Sequence, residues 1–406
     1  MNSGSCCLAV QDSEFRKESA MRRLIEFGVG CLFIIAASCA WGEDPPSQGS
    51  GVASPSSPPV MLFPIVKDGK WGYMNEKGKV VIEPKYQLAW DFSEGLATVA
   101  LDALRGYIDQ TGNLVIPTKF GWAGKFCEGL ARVNFHKGRF GTHIEWYRAV
   151  AGVGFIDKTG KTVTQEAYST GLSDFSEGVA WIVGGYIGKD GKKIPFEGEE
   201  GSRFSEGMAA ARKGSLWGYI DHSMKFVVQP EFTAAREFSE GLAAVMIPGT
   251  PPPEDANALK DWQKNVKSKW GFIDKTGKVV IPGQFVDAGR FSEGRAPVLP
   301  ELDVQDAGGS SSGSLSGGAG KTWGYVDKDG IMAVKPQFDY AWPFSEGFGR
   351  VLVGGKFGYV DKNGKFAVEP KYDTAWEFSK GLARVGMGDK EGYINHDGKY
   401  VWEPTE

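Results

Sequence analysis

The residues best able to do chemistry in this sequence are acidic residues that recur in a short Phe-Ser-Glu-Gly motif. Seven copies carry the acid: Glu94, Glu128, Glu177, Glu206, Glu240, Glu293 and Glu346. Lys380 takes its place in one further copy. An aligned row of carboxylates could bind cations or a basic ligand, but general acid–base catalysis needs two carboxylates in different environments. We favour the other interpretation, in which each Glu is a turn residue that is solvated or bonded to nearby amides.

The other candidates for catalysis and metal binding are weak. The DKDG segment at 327–330 resembles the start of a calcium loop, but no Glu follows at its twelfth position and related segments read DKTG. His136 and His143 are the only histidine pair with even a loose metal-ligand spacing. No nucleophile motif, phosphate loop or dinucleotide fingerprint occurs in a convincing context. We therefore expect no cofactor, no metal and no catalytic activity.

Tryptophan provides the most specific candidate for a ligand site. One set precedes glycine in a Trp-Gly motif: Trp71, Trp217, Trp270 and Trp323. A second set lies further along its copies of the repeat: Trp90, Trp122, Trp342 and Trp376. Exposed indole rings in a row would stack on sugar rings, whereas aromatic residues at a repeat period are also what a stacked core requires. We favour the core for the first set and leave the second set open between core and binding surface.

These residues belong to a repeated unit whose copies can be aligned on the glycine of the Trp-Gly motif. From Gly72 to Gly392, successive glycines are 34, 48, 31, 33, 53, 53, 34 and 34 residues apart. Within a unit, WGYID alternates as a strand does, DKTG and its variants form a hairpin turn, and KVVIEP is a strand that ends at its proline. A crossing segment then leads through the Ser-Glu-Gly turn into a GLATV strand. Each unit thus has three antiparallel strands, to which the crossing segment can add an irregular fourth.

The units at 70–100, 269–298 and 356–385 resemble the WG repeats, also called KWG repeats, of bacterial exported and surface proteins. The resemblance extends over about residues 60–404 and implies an all-β interaction module without a catalytic residue set. One unit cannot bury both faces of its sheet, so neighbouring units must stack. We predict an all-β domain of about nine tandem, antiparallel three-stranded repeats in a curved solenoid-like array. A β-propeller is the alternative.

Three insertions interrupt the repeat, at 134–152, 247–268 and 300–322. Each follows the GLAxV strand and precedes the WGY strand of the next unit. Units that stack in register would present all three at one side of the array, where repeat proteins often bind their partners.

The contents of the insertions differ. The first contains Trp146 and Tyr147 and suits a recognition loop, and the third is rich in Gly and Ser and is predicted to be flexible. The second has Leu259, Trp262 and Val266 at the spacing of one short amphipathic helix. The first two either dock a partner or are spacers that are tolerated because nothing packs against them.

The start of the chain has the pattern of an exported protein. At 21–42, two arginines precede the apolar run Phe27–Ala37 and a set of small residues, which predicts a signal peptide. Residues 1–20 would be an upstream extension, and 43–59 are a Pro/Ser/Gly linker. Lipid attachment at Cys39 is an alternative to simple cleavage. We expect the protein in the periplasm, at the cell surface or outside the cell, with no transmembrane span in the mature chain.

Composition excludes one class of partner. With 46 basic and 50 acidic residues, the formal charge is −4, and no Lys/Arg-rich run is present. The chain therefore lacks the basic surface that nucleic-acid binding needs. The expected function is a non-catalytic scaffold that binds another protein at the cell envelope. The alternative is a module that binds a surface polysaccharide through its repeated aromatic residues.

Overall fold

The structure is a computed structural model that describes residues 61–136, 150–168, 172–253, 255–301 and 322–405. In these ranges the chain forms 32 strands and one helix, and neighbouring strands pair in antiparallel fashion. The all-β fold of tandem antiparallel repeats that the sequence predicts is confirmed. We number the units 1 to 9 by their aligned glycines: Gly72, Gly106, Gly154, Gly185, Gly218, Gly271, Gly324, Gly358 and Gly392.

The strands follow one another along the chain. The first thirteen are β1 (Leu62–Lys67), β2 (Lys70–Asn75), β3 (Val80–Tyr86), β4 (Leu88–Ala89), β5 (Ala97–Leu101), β6 (Leu104–Ile108), β7 (Leu114–Cys127), β8 (Leu130–His136), β9 (Val150–Asp157), β10 (Thr162–Tyr168), β11 (Val179–Ile182), β12 (Gly185–Gly188) and β13 (Lys193–Ile194). The next are β14 (Glu200–Gly201), β15 (Ala209–Lys213), β16 (Leu216–Ile220), β17 (Phe226–Phe232), β18 (Ala234–Ala235), β19 (Leu242–Pro248), β20 (Ser268–Asp274) and β21 (Val279–Ala288). The last are β22 (Ala296–Pro300), β23 (Trp323–Val326), β24 (Met332–Phe338), β25 (Tyr340–Ser345), β26 (Phe348–Val353), β27 (Lys356–Val360), β28 (Phe366–Tyr372), β29 (Thr374–Ala375), β30 (Leu382–Met387), β31 (Lys390–Asn395) and β32 (Tyr400–Thr405). The helix α1 (Ala256–Asn265) lies between β19 and β20.

The sheets are simple meanders because strands that are adjacent in sequence are also adjacent in space. At unit 2, β5 pairs with β6, and Tyr107 of β6 is opposite Ile116 of β7. The crossing segment adds a short fourth strand in several units, for example β4, as predicted. In β7 and β21 the strand continues through the crossing segment, which joins the strands of neighbouring units into two seven-stranded sheets.

The glycine of the Trp-Gly motif lies where two strands come very close. A Cβ atom on Gly72 would be 2.4 Å from the carbonyl oxygen of Ile82 and 2.6 Å from the nitrogen of Pro84. Strand β3 does not end at this proline but continues through it to Tyr86, so the predicted end of the strand is wrong. The register shifts after the pair of Ile82 with Tyr73. Pro84 lies in this bulge, where the sheet does not require the N–H group that proline lacks.

The hairpin turn after the WGY strand has the predicted geometry. The N–H of Gly78 donates to the carbonyl of Asn75 at 3.0 Å, and Gly78 is left-handed with φ 78°. The side-chain oxygen of Asn75 accepts from the N–H groups of Lys77 and Lys79. This is a type I turn followed by a left-handed residue, fixed by its first side chain.

The Ser-Glu-Gly segment forms a tighter hairpin. The backbones of Ser93 and Leu96 exchange hydrogen bonds of 2.9 and 3.1 Å around a two-residue turn. Both turn residues are left-handed, with φ 52° at Glu94 and 84° at Gly95. A left-handed glutamate is uncommon, and the corresponding residues of the other copies, including Lys380 with φ 55°, share the conformation. The repeated strain indicates that the Glu side chain has a specific contact.

The tyrosine of the WGY strand lies at the centre of the packing between units. Six of these tyrosines are fully buried: Tyr73, Tyr107, Tyr186, Tyr219, Tyr325 and Tyr359. Of the first tryptophan set, Trp270 and Trp323 are buried, as predicted, whereas Trp71 and Trp217 are half-buried. The phenol is therefore the more constant core residue.

The first and last units of the described array contact each other. Phe63 and Ile65 of β1 share a hydrophobic cluster with Leu382 of unit 8 and Tyr393 of unit 9. A Cβ atom on Gly78 would be 2.4 Å from the carbonyl oxygen of Val401. The array is thus curved enough for its ends to meet. In the described ranges no sheet includes strands from both ends, so side chains make this contact, which we call the seam.

The second insertion contains the helix that its sequence predicts. Helix α1 occupies its middle, and β19 and β20 extend to Pro248 and Ser268, so the extra residues are 249–267. Strand β8 continues to His136, and most of the first and third insertions lies outside the described residues, including Trp146 and Tyr147. None of the described helical residues forms a span long and apolar enough to cross a membrane.

Candidate functional site

The strands run between two opposite faces of the array, and these two faces have different chemistry. One of them, which we call the turn face, carries the hairpin turns of all nine units (75–78 in unit 1). It also carries the Ser-Glu-Gly turns of units 1 to 8 (93–95 in unit 1), in the last of which Lys380 replaces the Glu. The opposite face, which we call the loop face, carries the connections from each GLAxV strand to the next WGY strand. The second insertion belongs to one of these connections and therefore emerges on the loop face, as predicted. The strand ends that flank the other two insertions lie on the same face, and most of those insertions is outside the described residues.

On the turn face, each Ser-Glu-Gly glutamate bonds to the turn of the next unit. Glu94 accepts a hydrogen bond of 2.9 Å from the N–H of Gly129. The same contact recurs at 2.9–3.0 Å along the array, between Glu128 and Gly178, Glu177 and Gly207, Glu206 and Gly241, Glu240 and Gly294, Glu293 and Gly347, and Glu346 and Gly381. A charged acceptor strengthens each bond, which offsets the strain of the left-handed turn. We call this row the glutamate ladder.

Each ladder carboxylate also meets a basic side chain from the hairpin turn two units further on. The nitrogen–oxygen distances are 2.9–3.3 Å in the pairs Glu94–Lys158, Glu128–Lys189, Glu177–His222, Glu206–Lys275, Glu240–Lys328, Glu293–Lys362 and Glu346–His396. One glutamate therefore connects three successive units. The carboxylates are aligned, but each is already occupied by an amide and a basic group, which leaves no free acidic row.

The electrostatics of the turn face follow from these contacts. Partial burial would raise the pKa of Glu240, but the N–H of Gly294 and the ammonium of Lys328 outweigh it and hold the pKa below its ordinary value. At Glu237, just before a Phe-Ser-Glu-Gly motif, burial raises the pKa, although Arg203 lies only 3.1 Å away and opposes the shift. Glu240 therefore stabilises the array in its anionic form, whereas Glu237 is held in a poorly solvated ion pair with Arg203.

On the loop face, arginine side chains stack on the second set of tryptophans. The guanidinium carbon lies 4.2–4.8 Å from the indole centre in the pairs Arg105–Trp90, Arg132–Trp122, Arg350–Trp342 and Arg384–Trp376. Arg384 also stacks on Trp71, and Arg236 stacks on Trp270. Trp90 is 36% exposed, and the other three predicted residues are half-buried. One face of each of these indoles is thus covered by a cation of the protein itself.

Most of these arginines have a further partner. Arg236 forms an ion pair with Asp287 at 2.8 Å, and Arg384 pairs with Glu391. The sequence interpretation missed this arginine set altogether. A signal was present, because Arg105 replaces tryptophan in the Trp-Gly motif next to a crossing segment that carries one.

The remaining predicted site residue, Trp262, lies on helix α1. It is half-buried, and its Nε1–H donates to the side-chain oxygen of Thr250 at 3.0 Å within the same insertion. No described contact joins Trp262 to the tryptophans of the crossing segments.

Comparisons with known proteins agree with the repeat pattern. The family model described as "WG containing repeat" matches eight segments, at 71–103, 106–137, 154–183, 185–217, 217–249, 270–299, 323–357 and 357–390. No curated protein matches the chain in sequence.

Solved structures with a similar fold are distant in sequence. A eukaryotic initiation factor is 12% identical over 86% of this chain and 98% of its own, with a TM-score of 0.44. Hsv2p of Kluyveromyces lactis is 8% identical over 78% of this chain and 96% of its own, with a TM-score of 0.32. The biofilm matrix protein Bap1 of V. cholerae is 11% identical over 87% and 82%, with a TM-score of 0.29. None of these likenesses carries an argument about function.

The eight matched segments cover more than half of the chain, and the structure repeats one three-stranded unit through all of them. The chain therefore belongs to the family of proteins with WG containing repeats.

Proposed function

We propose that the protein is an exported, non-catalytic scaffold that binds another protein through its loop face. The observation that carries the proposal is that helix α1 and the arginine–tryptophan pairs lie on the same face. Tryptophan and arginine are the residue types that dominate binding energy in protein–protein interfaces. The turn face offers less, because its carboxylates and basic groups already satisfy one another.

Helix α1 adds an element of the kind that binds partners. It lies in an insertion, and Leu259 and Trp262 of the helix, with Val266 just after its end, are half-buried. The helix is not needed to complete a sheet, since β19 and β20 already pair with each other. A segment that is dispensable for the fold but keeps apolar side chains at helical spacing is suited to docking.

Binding of a surface polysaccharide is the second candidate, and the exposure of Trp90 is the observation in its favour. A sugar-binding row needs several open indole faces. The other three crossing-segment indoles are half-buried with an arginine on one face, which favours a protein partner.

Export is proposed from the leader at 21–42. Fractionation of cells that express the full chain, compared with a chain starting at Glu43, tests it. The first should be outside the cytoplasm and shorter than its translated length, and the second should stay inside. Retention of both in the cytoplasm would contradict export.

The binding role is tested by capture from an extract of the cell envelope. The purified chain should retain a defined protein, and a variant with 249–267 replaced by a Gly/Ser linker should retain at least tenfold less, at an unchanged melting temperature. K77Q on the turn face is the matched control. A glycan array with W342A/W376A tests the alternative: sugar binding that these substitutions abolish would replace the protein partner as our conclusion.

A further inference from the structure

At the junction of units 1 and 2, the stacked arginine on the loop face has no acidic partner among the residues that the structure describes. Arg105 lies 4.4 Å from the centre of the Trp90 ring and is half-buried. Across the ranges that the structure describes, it forms no ion pair, and burial lowers the pKa of its guanidinium with no carboxylate opposing the shift. Arginines that are taken out of water are normally paired. Within the described part of the chain, Arg105 is therefore a pre-positioned cation without an anion.

The surface around Arg105 is open and apolar. In the strand register, Leu88 and Arg105 lie on either side of Ala100, so the three side chains form a row across β4, β5 and β6. Leu88 is 43% exposed and Trp90 is 36% exposed. The connection between β5 and β6 itself carries no insertion.

The turn that leads into Arg105 is strained. Asp102 and Ala103 are both left-handed, with φ 49° and 63°, whereas the corresponding turn of unit 1 uses Gly69. An alanine rarely adopts this conformation, and the turn is held in part by a bond from the Ala103 N–H to the side chain of Gln87. Strain of this kind is found where a neighbouring group has to be held in one place, as Arg105 is here.

We propose that this junction binds an acidic segment of a partner protein, with a carboxylate on Arg105 and apolar side chains on Trp90 and Leu88. The planar guanidinium is already fixed by stacking, so its free edge can take a carboxylate in two parallel hydrogen bonds at little entropic cost. Partial exclusion of water strengthens the pair. The inference rests on the proposed role of the loop face in protein binding and names the chemistry of the partner.

The test uses poly-L-glutamate as the probe and measures its affinity for the full chain by calorimetry at low and high salt. R105Q should weaken binding about tenfold or more, R105K should weaken it less, and W90A should weaken it several-fold. K77Q removes one positive charge from the turn face and should leave the affinity unchanged. Melting temperatures of all variants confirm that they are folded.

Three outcomes would overturn the inference. They are equal affinities of R105Q and K77Q for poly-L-glutamate, no binding by the wild type, or tighter binding of polygalacturonate, which would indicate an acidic sugar as the ligand. Partner capture separates this inference from the proposed function. If R105Q retains the captured protein as well as the wild type, while the variant lacking 249–267 loses it, only the present inference fails.

Discussion

The phenol of Tyr393 donates a hydrogen bond of 2.8 Å to the carbonyl oxygen of Pro64, although 329 positions separate the two residues in the chain. The same kind of bond elsewhere joins the WGY strand of a unit to the crossing segment of that unit. The tyrosine of the WGY strand donates to a carbonyl of the next crossing segment in the pairs Tyr73–Trp90, Tyr107–Gly124, Tyr186–Ser202, Tyr219–Arg236, Tyr325–Trp342 and Tyr359–Trp376. In unit 9, β1 thus takes the place of the unit's own crossing segment as the acceptor of this bond.

The seam should contribute to the stability of the whole array. We expect Y393F to lower the free energy of unfolding by about 1–2 kcal/mol, because the buried carbonyl of Pro64 loses its donor. Y359F is the matched variant inside the array and should cost about the same, since its bond to the carbonyl of Trp376 is of the same kind. Urea unfolding followed by circular dichroism measures both. A neutral Y393F beside a destabilising Y359F would mean that the ends of the array do not meet in solution.

The close approach of strands at the Trp-Gly glycine should make that position intolerant of any side chain. G72A places a methyl group 2.4 Å from a backbone oxygen that cannot move without breaking β3, so we expect a loss of more than about 3 kcal/mol. G95A is the control: its Cβ meets nothing within 4 Å, and only the left-handed backbone is strained, which should cost about 1 kcal/mol. Similar melting temperatures for the two variants would contradict this account.

A second contact of the turn face involves the serine before each ladder glutamate. Its hydroxyl donates to the carbonyl of the next motif's phenylalanine in the pairs Ser93–Phe126, Ser176–Phe204, Ser205–Phe238, Ser239–Phe291, Ser292–Phe344 and Ser345–Phe378. Cys127 occupies this position in unit 2, and Phe175 is the phenylalanine of the next motif. A thiol donates more weakly than a hydroxyl.

We therefore expect C127S to stabilise the protein by about 0.5–1 kcal/mol. The reverse change, S205C, should destabilise it by a similar amount, because it weakens the bond of 2.8 Å to Phe238. Differential scanning calorimetry of the two variants and the wild type makes the comparison. If C127S lowers the melting temperature, the packing of the larger sulfur outweighs the hydrogen bond at this position.

Much of the fold could be predicted because each element has a local signal. The Asp-x-x-Gly turns, the alternating WGY strand and the apolar spacing of Leu259, Trp262 and Val266 all formed the expected elements. The proline of the KVVIEP strand led to a wrong prediction of where that strand ends. The bulge that accommodates Pro84 in β3 depends on the missing side chain of Gly72 in the neighbouring strand β2. That relation is visible only once the two strands are paired.

The contacts between units were harder to predict because they depend on which units are neighbours in the structure and not on a fixed separation in the sequence. A ladder glutamate meets the hairpin turn two units further on, so Glu94 pairs with Lys158 across a 48-residue step and an insertion. The sequence did contain a trace of this rule. Two units on from unit 8, across the seam, is unit 1, whose hairpin turn has Glu76 where most other units have a basic residue. In unit 8, Lys380 replaces the ladder glutamate, so both members of this pair carry the opposite of the usual charge. The arginine–tryptophan stacks left a similar trace at Arg105.

Acid should weaken the array through the glutamate ladder. The pKa of Glu240 is lower in the folded chain than in the unfolded chain, because the N–H of Gly294 and the ammonium of Lys328 outweigh the effect of partial burial. Between the two pKa values the unfolded chain binds more protons than the folded chain. The stabilisation is therefore complete above the unfolded value of about 4.3 and is lost as the pH falls through the folded value.

E240Q should cost about 1 kcal/mol at pH 7, a figure that allows for the solvent screening of this half-exposed group, and the cost should shrink below about pH 4. K328M separates the two causes: it removes the ion pair of 3.2 Å but keeps the bond to Gly294, so part of the difference between pH 7 and pH 3 should remain. High salt should affect the wild type more than K328M, since it screens only the ion pair. Urea midpoints at several pH values test this, and an E240Q cost that is the same at pH 3 as at pH 7 would show that the ladder acts through shape and not through charge.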